Sequence, residues 1–226
     1  GAPGDQDAAG IERPRPLATL REAIAVCRGL FAGDPIDHRG DIFNVTQRKL
    51  VNAPCDIPIV LAASGPKMLA LAGSDADGVI ISGATSAPFV ENCLARVNEA
   101  ASGRRIMNSG IVYTGIDGDG KAGADSLRRT LGFILRGAHH ADNVRMGGGS
   151  LDQQALRDAY AAENWDDVDR FVTDDVVTRH AACGDAARVR TRLAEYHRAG
   201  LDHVIVSGIT DPAEISAVLS AITTGN

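Results

Sequence analysis

The sequence predicts an α/β protein, a partial (β/α)8 TIM-type barrel with about four parallel strands. Three observations predict it. A short unbroken apolar run at Ile57–Ala63 is expected of a strand buried on both faces, Val79–Ser82 reads as a second buried strand, and Ile111–Ile116 and His203–Ser207 read as a third and fourth strand. Apolar residues at helical spacing separate successive runs, the alternation that builds parallel sheets with right-handed crossovers. Aromatic residues make up only 4% of the chain, so the core is built from Ala, Val, Leu and Ile, which suits strands covered by helices. An open doubly wound sheet shares this alternation and differs in strand order.

Residues 1–15 are rich in Gly, Pro and Asp and read as a loop. From Pro16 a helix is predicted, because Leu17, Leu20, Ile24, Cys27 and Leu30 recur at spacings of three and four, and Gly33 stops it. Pro35 to Val45 reads as a hairpin around Arg39-Gly40. The first buried strand, Ile57–Ala63, is broken by Ser64-Gly65-Pro66, and a short helix runs from Lys67 to Gly73. Asp77-Gly78 opens the second strand, Gly83 closes it, and Pro88–Ala101 forms the next helix. The third strand leads to the turn Asp117-Gly118-Asp119-Gly120 and a helix over Ala122–Leu135. Between His139 and His180 the periodicity loosens around Gly147-Gly148-Gly149-Ser150, which suggests a helical insertion with helices near Leu151–Ala162 and Trp165–Val172. Asp185 is placed to cap a helix carrying Val189, Leu193 and Tyr196 and ending at Gly200. The fourth strand and a closing helix over Pro212–Ile222 complete a single domain over residues 1–226.

Four parallel strands alone leave two raw edges and an uncovered inner face, which invite pairing. The chain opens at Gly1 inside a loop, where a strand is expected to precede it. A preceding N-terminal half, or association with a second copy into a homo-oligomer, is therefore expected to complete the sheet.

Composition and motifs exclude several functions. A net charge of -6 with scattered arginines argues against a nucleic-acid partner. No apolar run reaches membrane-spanning length, so a cytoplasmic location is expected. Cys27, Cys55, Cys93 and Cys183 form no C-x-x-C pair and read as small packed hydrophobes rather than metal ligands. His139-His140 point apart on a helix, with Asp142 as the sole nearby carboxylate, and read as a solvated helix end. Asp117–Gly120 lacks the further acids of a calcium loop. His203 reads as a packed or surface residue, Asp77-Gly78 as turn composition, and Trp165 as packing for a local helix.

Two glycine-containing loops carry the chemistry. Glycines just after strand C-termini let backbone approach a ligand, and the N–H groups of a following helix can hold an anion. The first loop is Ala62-Ala63-Ser64-Gly65-Pro66, running into Lys67, and the second is Ile81-Ser82-Gly83-Ala84-Thr85. Tight turns between strand and helix would use the same residues without any ligand.

Leu61-Ala62-Ala63-Ser64-Gly65-Pro66-Lys67-Met68-Leu69-Ala70-Leu71-Ala72-Gly73, followed by Ala76-Asp77-Gly78-Val79, resembles the central signature of luciferase-like monooxygenases. It is similar above all to the branch that uses the deazaflavin coenzyme F420, including methylenetetrahydromethanopterin reductases. Flanking stretches resemble it too: Gly10-Ile11-Glu12-Arg13-Pro14-Arg15-Pro16 with Leu20-Arg21-Glu22-Ala23, and Gly184-Asp185 with Leu193, Tyr196, Ala199-Gly200 and Asp202-His203-Val204. The likeness covers most of the chain and is weakest between His139 and Val177.

The resemblance implies the C-terminal half of a (β/α)8 barrel, with the coenzyme lying across the rim at the strand C-termini. By that resemblance Ala62, Ala63, Ser64, Gly65 and Pro66 contact the coenzyme, Ile81, Ser82, Gly83 and Ala84 line the neighbouring wall, and Thr85 lies nearer the substrate. Gly1 and Ala2 match the end of an earlier glycine loop, and the residues that usually move protons in the family lie before it. The implied activity is hydride transfer between coenzyme F420 and a small organic substrate. Alternatives are an FMN-dependent monooxygenase and a non-catalytic cofactor-binding or assembly protein. No residue is assigned a catalytic role, and no metal is expected.

Overall fold

A computed structural model describes Gly10, residues 15–117 and residues 121–223. The readings of residues 1–9, of Ile11–Pro14 and of Gly118–Gly120 lie outside these. Helix α1 (Pro16–Ala32) leads to a hairpin of β1 (Ile36–Arg39) and β2 (Asn44–Arg48). There follow β3 (Val60–Ala63), α2 (Pro66–Asp75), β4 (Gly78–Ile81), α3 (Ala87–Ala101) and β5 (Met107–Ile116). Next come α4 (Lys121–Leu135), a 3-10 turn (Ala138–His140), α5 (Ala141–Met146), α6 (Gln153–Ala161), α7 (Trp165–Phe171) and α8 (Asp174–His180). The chain closes with β6 (Ala182–Gly184), α9 (Ala186–Arg198), β7 (His203–Ser207) and α10 (Pro212–Thr223).

All strand pairs of the main sheet are parallel. Ser109 and Gly110 of β5 are in register with Ile80 and Ile81 of β4 and also with His203 and Val204 of β7. The two neighbours must therefore flank β5, which gives the order β3-β4-β5-β7, while β6 pairs with Thr114–Ile116. Among the described residues, β3 and β7 each keep one unpaired edge. The sheet has five strands, one more than the four expected, because β6 is only three residues long and too short to show a period.

Leu61, Ala63, Val79, Ile81 and Val112 point to the helix-covered face and are buried. Together with Leu69, Leu71, Val90, Leu94 and Val97 they form one core. The opposite face carries Ala62, Ile80 and Ile205, and Ile205 is 41% exposed. A second core gathers Leu127, Leu131 and Leu135 of α4 with Leu156, Val168, Val172, Val176 and Val177, so the helices between β5 and β6 pack largely on one another.

Local chemistry sets the boundaries. β3 starts at Val60, not Ile57, because Pro58 has no N–H and the Ile59 N–H donates to Asp77 Oδ2 at 2.8 Å. The Ile59 carbonyl accepts from the N–H groups of Asp77 and Gly78, and Arg28 of α1 donates to Asp77 Oδ1 at 2.9 Å. Asp77 thus fastens α1 to the strand openings, beyond the turn role its composition suggested. Burial raises its pKa and the Arg28 guanidinium lowers it, and the net effect is a carboxyl held below its usual range. β5 begins four residues before Ile111, where Gly110 leaves room for Leu201: a Cβ there would stand 2.6 Å from Leu201 Cδ1. The predicted hairpin is present, and Glu22 of α1 accepts the N–H groups of Asp41, Ile42 and Phe43 at its turn, each at 3.0 Å. The Asp185 cap is present as well, accepting from the Arg188 N–H at 2.8 Å. Only Cys93 of the four cysteines is fully buried; the other three are half-buried, and all four are free thiols.

Candidate functional site

The register of β3 and β4 determines where the two glycine loops lie. Ala63 stands opposite Ile81 in a parallel pair, so residues 64–66 and 82–86 leave the sheet side by side at one end. On the first loop Ala62, Ser64, Gly65 and Pro66 are exposed and Ala63 is buried. Gly65 is the N-cap of α2, and its carbonyl accepts from the Met68 and Leu69 N–H groups at 3.0 Å. A Cβ at Gly65 would find nothing within 4 Å. The first turn of α2 thus opens onto free space beside an exposed Lys67.

The second loop is set deeper. Ser82 is exposed, whereas Ile81, Gly83, Ala84 and Thr85 are buried. A Cβ on Gly83 would meet the Tyr113 ring at 2.7 Å, so glycine lets the loop lie against that ring. Ala84 is left-handed, with φ of 58°, a conformation that costs a residue with a Cβ. Thr85 is 2% exposed and its Oγ1 donates to the Ser82 carbonyl at 3.0 Å, so its side chain faces the loop and not the opening. Of the ten residues the sequence singled out, five present side chain or backbone to the open rim and five shape it from beneath.

What holds the second loop comes from far along the chain. Asn143 of α5 is fully buried; its Oδ1 accepts from the Ser86 N–H at 2.8 Å and its Nδ2 donates to the Ala84 carbonyl at 2.8 Å. Tyr196 of α9 donates its hydroxyl to the Thr85 carbonyl at 2.7 Å, and burial pushes its pKa up to about 12. Neither role could be read from the sequence, because a lone Asn in a loosely patterned segment looks like surface and Tyr196 reads as a core position of its helix.

The reading of His139-His140 as a solvated helix end needs correction. His139 is exposed, but His140, at the end of the 3-10 turn that follows α4, is turned inward and 5% exposed. His180 of α8 is also buried, with Nδ1 2.9 Å from the Val176 carbonyl. Burial, then the nearby His139 and His180, lowers the His140 pKa from its ordinary 6.5 to about 4. Between those values the unfolded chain binds more protons than the folded one, so stability is lost as pH falls. The urea midpoint is expected to drop between pH 6.5 and 4, and to drop less in His140→Phe. Parallel profiles for parent and variant would contradict this.

The sequence profile of the luciferase-like monooxygenases matches residues 1–203. The 5,10-methylenetetrahydromethanopterin reductase of Archaeoglobus fulgidus is 29% identical over 212 residues, which cover 90% of this chain and 64% of that protein. An F420-dependent glucose-6-phosphate dehydrogenase of Rhodococcus jostii is 24% identical over 197 residues, covering 83% of this chain and 53% of the relative. Among solved structures, the coenzyme F420 dependent tetrahydromethanopterin reductase from Methanopyrus kandleri superposes with a TM-score of 0.73 at 22% identity, over 93% of this chain and 63% of that one. The chain spans less than two thirds of the length of each of these three. No described helix is long and apolar enough to cross a membrane.

Proposed function

From the premise that the chain belongs to the luciferase-like monooxygenase family, we propose that it serves an oxidoreductase using coenzyme F420 on a small organic substrate. The observation that carries this reading is the in-register parallel pairing of β3 with β4, which sets Ser64-Gly65 and Ser82-Gly83 side by side on one rim. The name of the Rhodococcus relative supports the coenzyme, and it and the Archaeoglobus reductase are named for different substrates, so the substrate stays open.

The residues present suit a tricyclic ring. Ala62, Ser64 and Gly65 offer a ledge without bulky side chains, and the free space over Gly65 is where a planar group can rest. Ser82 is the exposed polar group of the neighbouring loop. The N-terminus of α2, with Lys67 in its first turn, suits an anionic coenzyme tail. When bound, the coenzyme supplies the ring carbon that exchanges hydride. The work left to this chain is orientation and exclusion of water. Residues 62–66 and 82–85 include no carboxylate or imidazole, in keeping with that division. Ile81, Ala84 and Thr85 act here through the shape they give the wall. The unpaired edges of β3 and β7 and the exposed Ile205 belong to the same reading, as the surface that further barrel strands or a second copy covers.

Titration of the chain with F420 and with FMN, followed by absorbance and equilibrium dialysis, tests the proposal. Saturable F420 binding is expected, with FMN at least about tenfold weaker, a gap of about 1.4 kcal/mol. Tighter FMN binding would move the chain to a flavin-dependent role. Binding of neither would refute the ledge.

A further inference from the structure

We propose that Asn143 is a positioning residue for the coenzyme rim, holding residues 84–86 in their bound-ready shape from outside the sheet. This rests on the coenzyme reading above. The loop from Ser82 to Ser86 contains a left-handed Ala84, which needs partners to persist in that conformation. Its partners are side chains, not a strand. Asn143 spans the bend with both ends of its amide, accepting from the Ser86 N–H and donating to the Ala84 carbonyl. Ser86 Oγ lies 3.1 Å from Asn143 Oδ1 and 3.3 Å from the Asn143 carbonyl, so its one proton also stays with Asn143.

Asn143 is itself fixed. It is fully buried on a short helix, and Gly147 at the end of that helix lies against the loop: a Cβ on Gly147 would stand 3.1 Å from Ser86 Cβ. Arg179 of α8 donates to the Gly147 carbonyl at 2.7 Å and is paired with Asp175 at 2.7 Å. Tyr196 of α9 fastens the Thr85 carbonyl from another direction. Helices α5 and α9 thus bond the rim loop directly, and α8 steadies the end of α5. A loop held through buried amide bonds keeps its wall in place before any ligand arrives, and such preorganisation raises affinity without a direct contact. The helices between β5 and β6 are in this way coupled to the coenzyme site.

The test uses the full chain and three proteins: the parent, Asn143→Ala, and Val168→Ala as a control that loosens the same helical core without a hydrogen bond to the loop. Hydrogen exchange resolved at the Ser86 amide and F420 dissociation constants are measured at a temperature where all three are folded. In Asn143→Ala the Ser86 amide is expected to exchange at least about tenfold faster, while the amides of β3 and β4 are unchanged. F420 affinity should fall about tenfold, and Val168→Ala should show neither effect at equal or greater loss of stability. Unchanged Ser86 exchange in Asn143→Ala overturns the inference. Faster exchange with parental F420 affinity also overturns it, and leaves the proposed function standing. A parent that binds neither F420 nor FMN removes the proposed function, and the positioning role falls with it.

Discussion

Gly65→Trp is expected to abolish F420 binding while the chain stays folded. The two halves of that expectation have separate causes. Gly65 has φ of -82° and ψ of 148°, an extended conformation open to every residue, and a Cβ there meets no atom within 4 Å. Its N–H and carbonyl are backbone groups, so the N-terminal turn of α2 keeps its hydrogen bonds. Losing glycine at such a position also removes unfolded-state freedom, worth about 0.4–1 kcal/mol in favour of the folded chain. The Tm should therefore be unchanged or slightly raised. The indole, however, would occupy the space over the ledge. A loss of at least about 2.7 kcal/mol of binding, roughly 100-fold, is expected in a titration. Gly65→Ala adds only a methyl group and should cost about tenfold or less. Parental affinity in Gly65→Trp would mean that the ring does not rest on this loop.

Gly73→Ala should be among the most damaging single-methyl changes in the chain. Inside a helix, replacing Gly by Ala ordinarily gains up to about 1 kcal/mol of helix propensity. Here the gain is reversed by packing. Gly73 lies where α2 crosses α3, and an added Cβ would stand 2.2 Å from the Val97 carbonyl oxygen, 2.9 Å from Ala100 Cβ and 3.1 Å from the Ala101 N. The obstacle is helix backbone, which cannot swing aside as a side-chain tip can. Relief requires the two helices to separate, opening the core at Leu69, Leu71 and Val97. Overpacking of this kind costs about 1–3 kcal/mol, and a backbone clash belongs at the upper end. Urea denaturation should show a lowered midpoint. A midpoint at or above that of the parent would mean that α2 and α3 pack less closely. Because α2 begins at the proposed coenzyme ledge, the same variant should also bind F420 more weakly.

Much of the sheet was legible because each buried strand is a local signal. Residues 60–63 and 79–81, and Val204–Val206 within β7, are apolar without a break, so the sequence itself marks them as strands. The hairpin and the Asp185 cap were legible for the same reason, as each needs only residues a few positions apart. β6 escaped notice because three residues carry no period. The early start of β5 escaped because Asn108, Ser109 and Gly110 do not look like a strand, although a central parallel position buries them.

The candidate site divides along the same line. Its small residues and their order stand in the sequence, and the proposed ledge uses them because Ala, Ser and Gly let backbone come close to a ring. The support for the second loop could not. Ser86 and Asn143 are 57 positions apart, and Tyr196 is 111 from Thr85.

By itself the sequence determined the βα alternation, the helix ends and the two glycine loops, all of which arise from steric and hydrogen-bonding preferences within a few residues. Only the tertiary structure decided that both loops open at one end, that His140 turns inward, and that Asn143 grips the rim. Those outcomes depend on which distant surfaces pack together, and local preferences do not specify a partner.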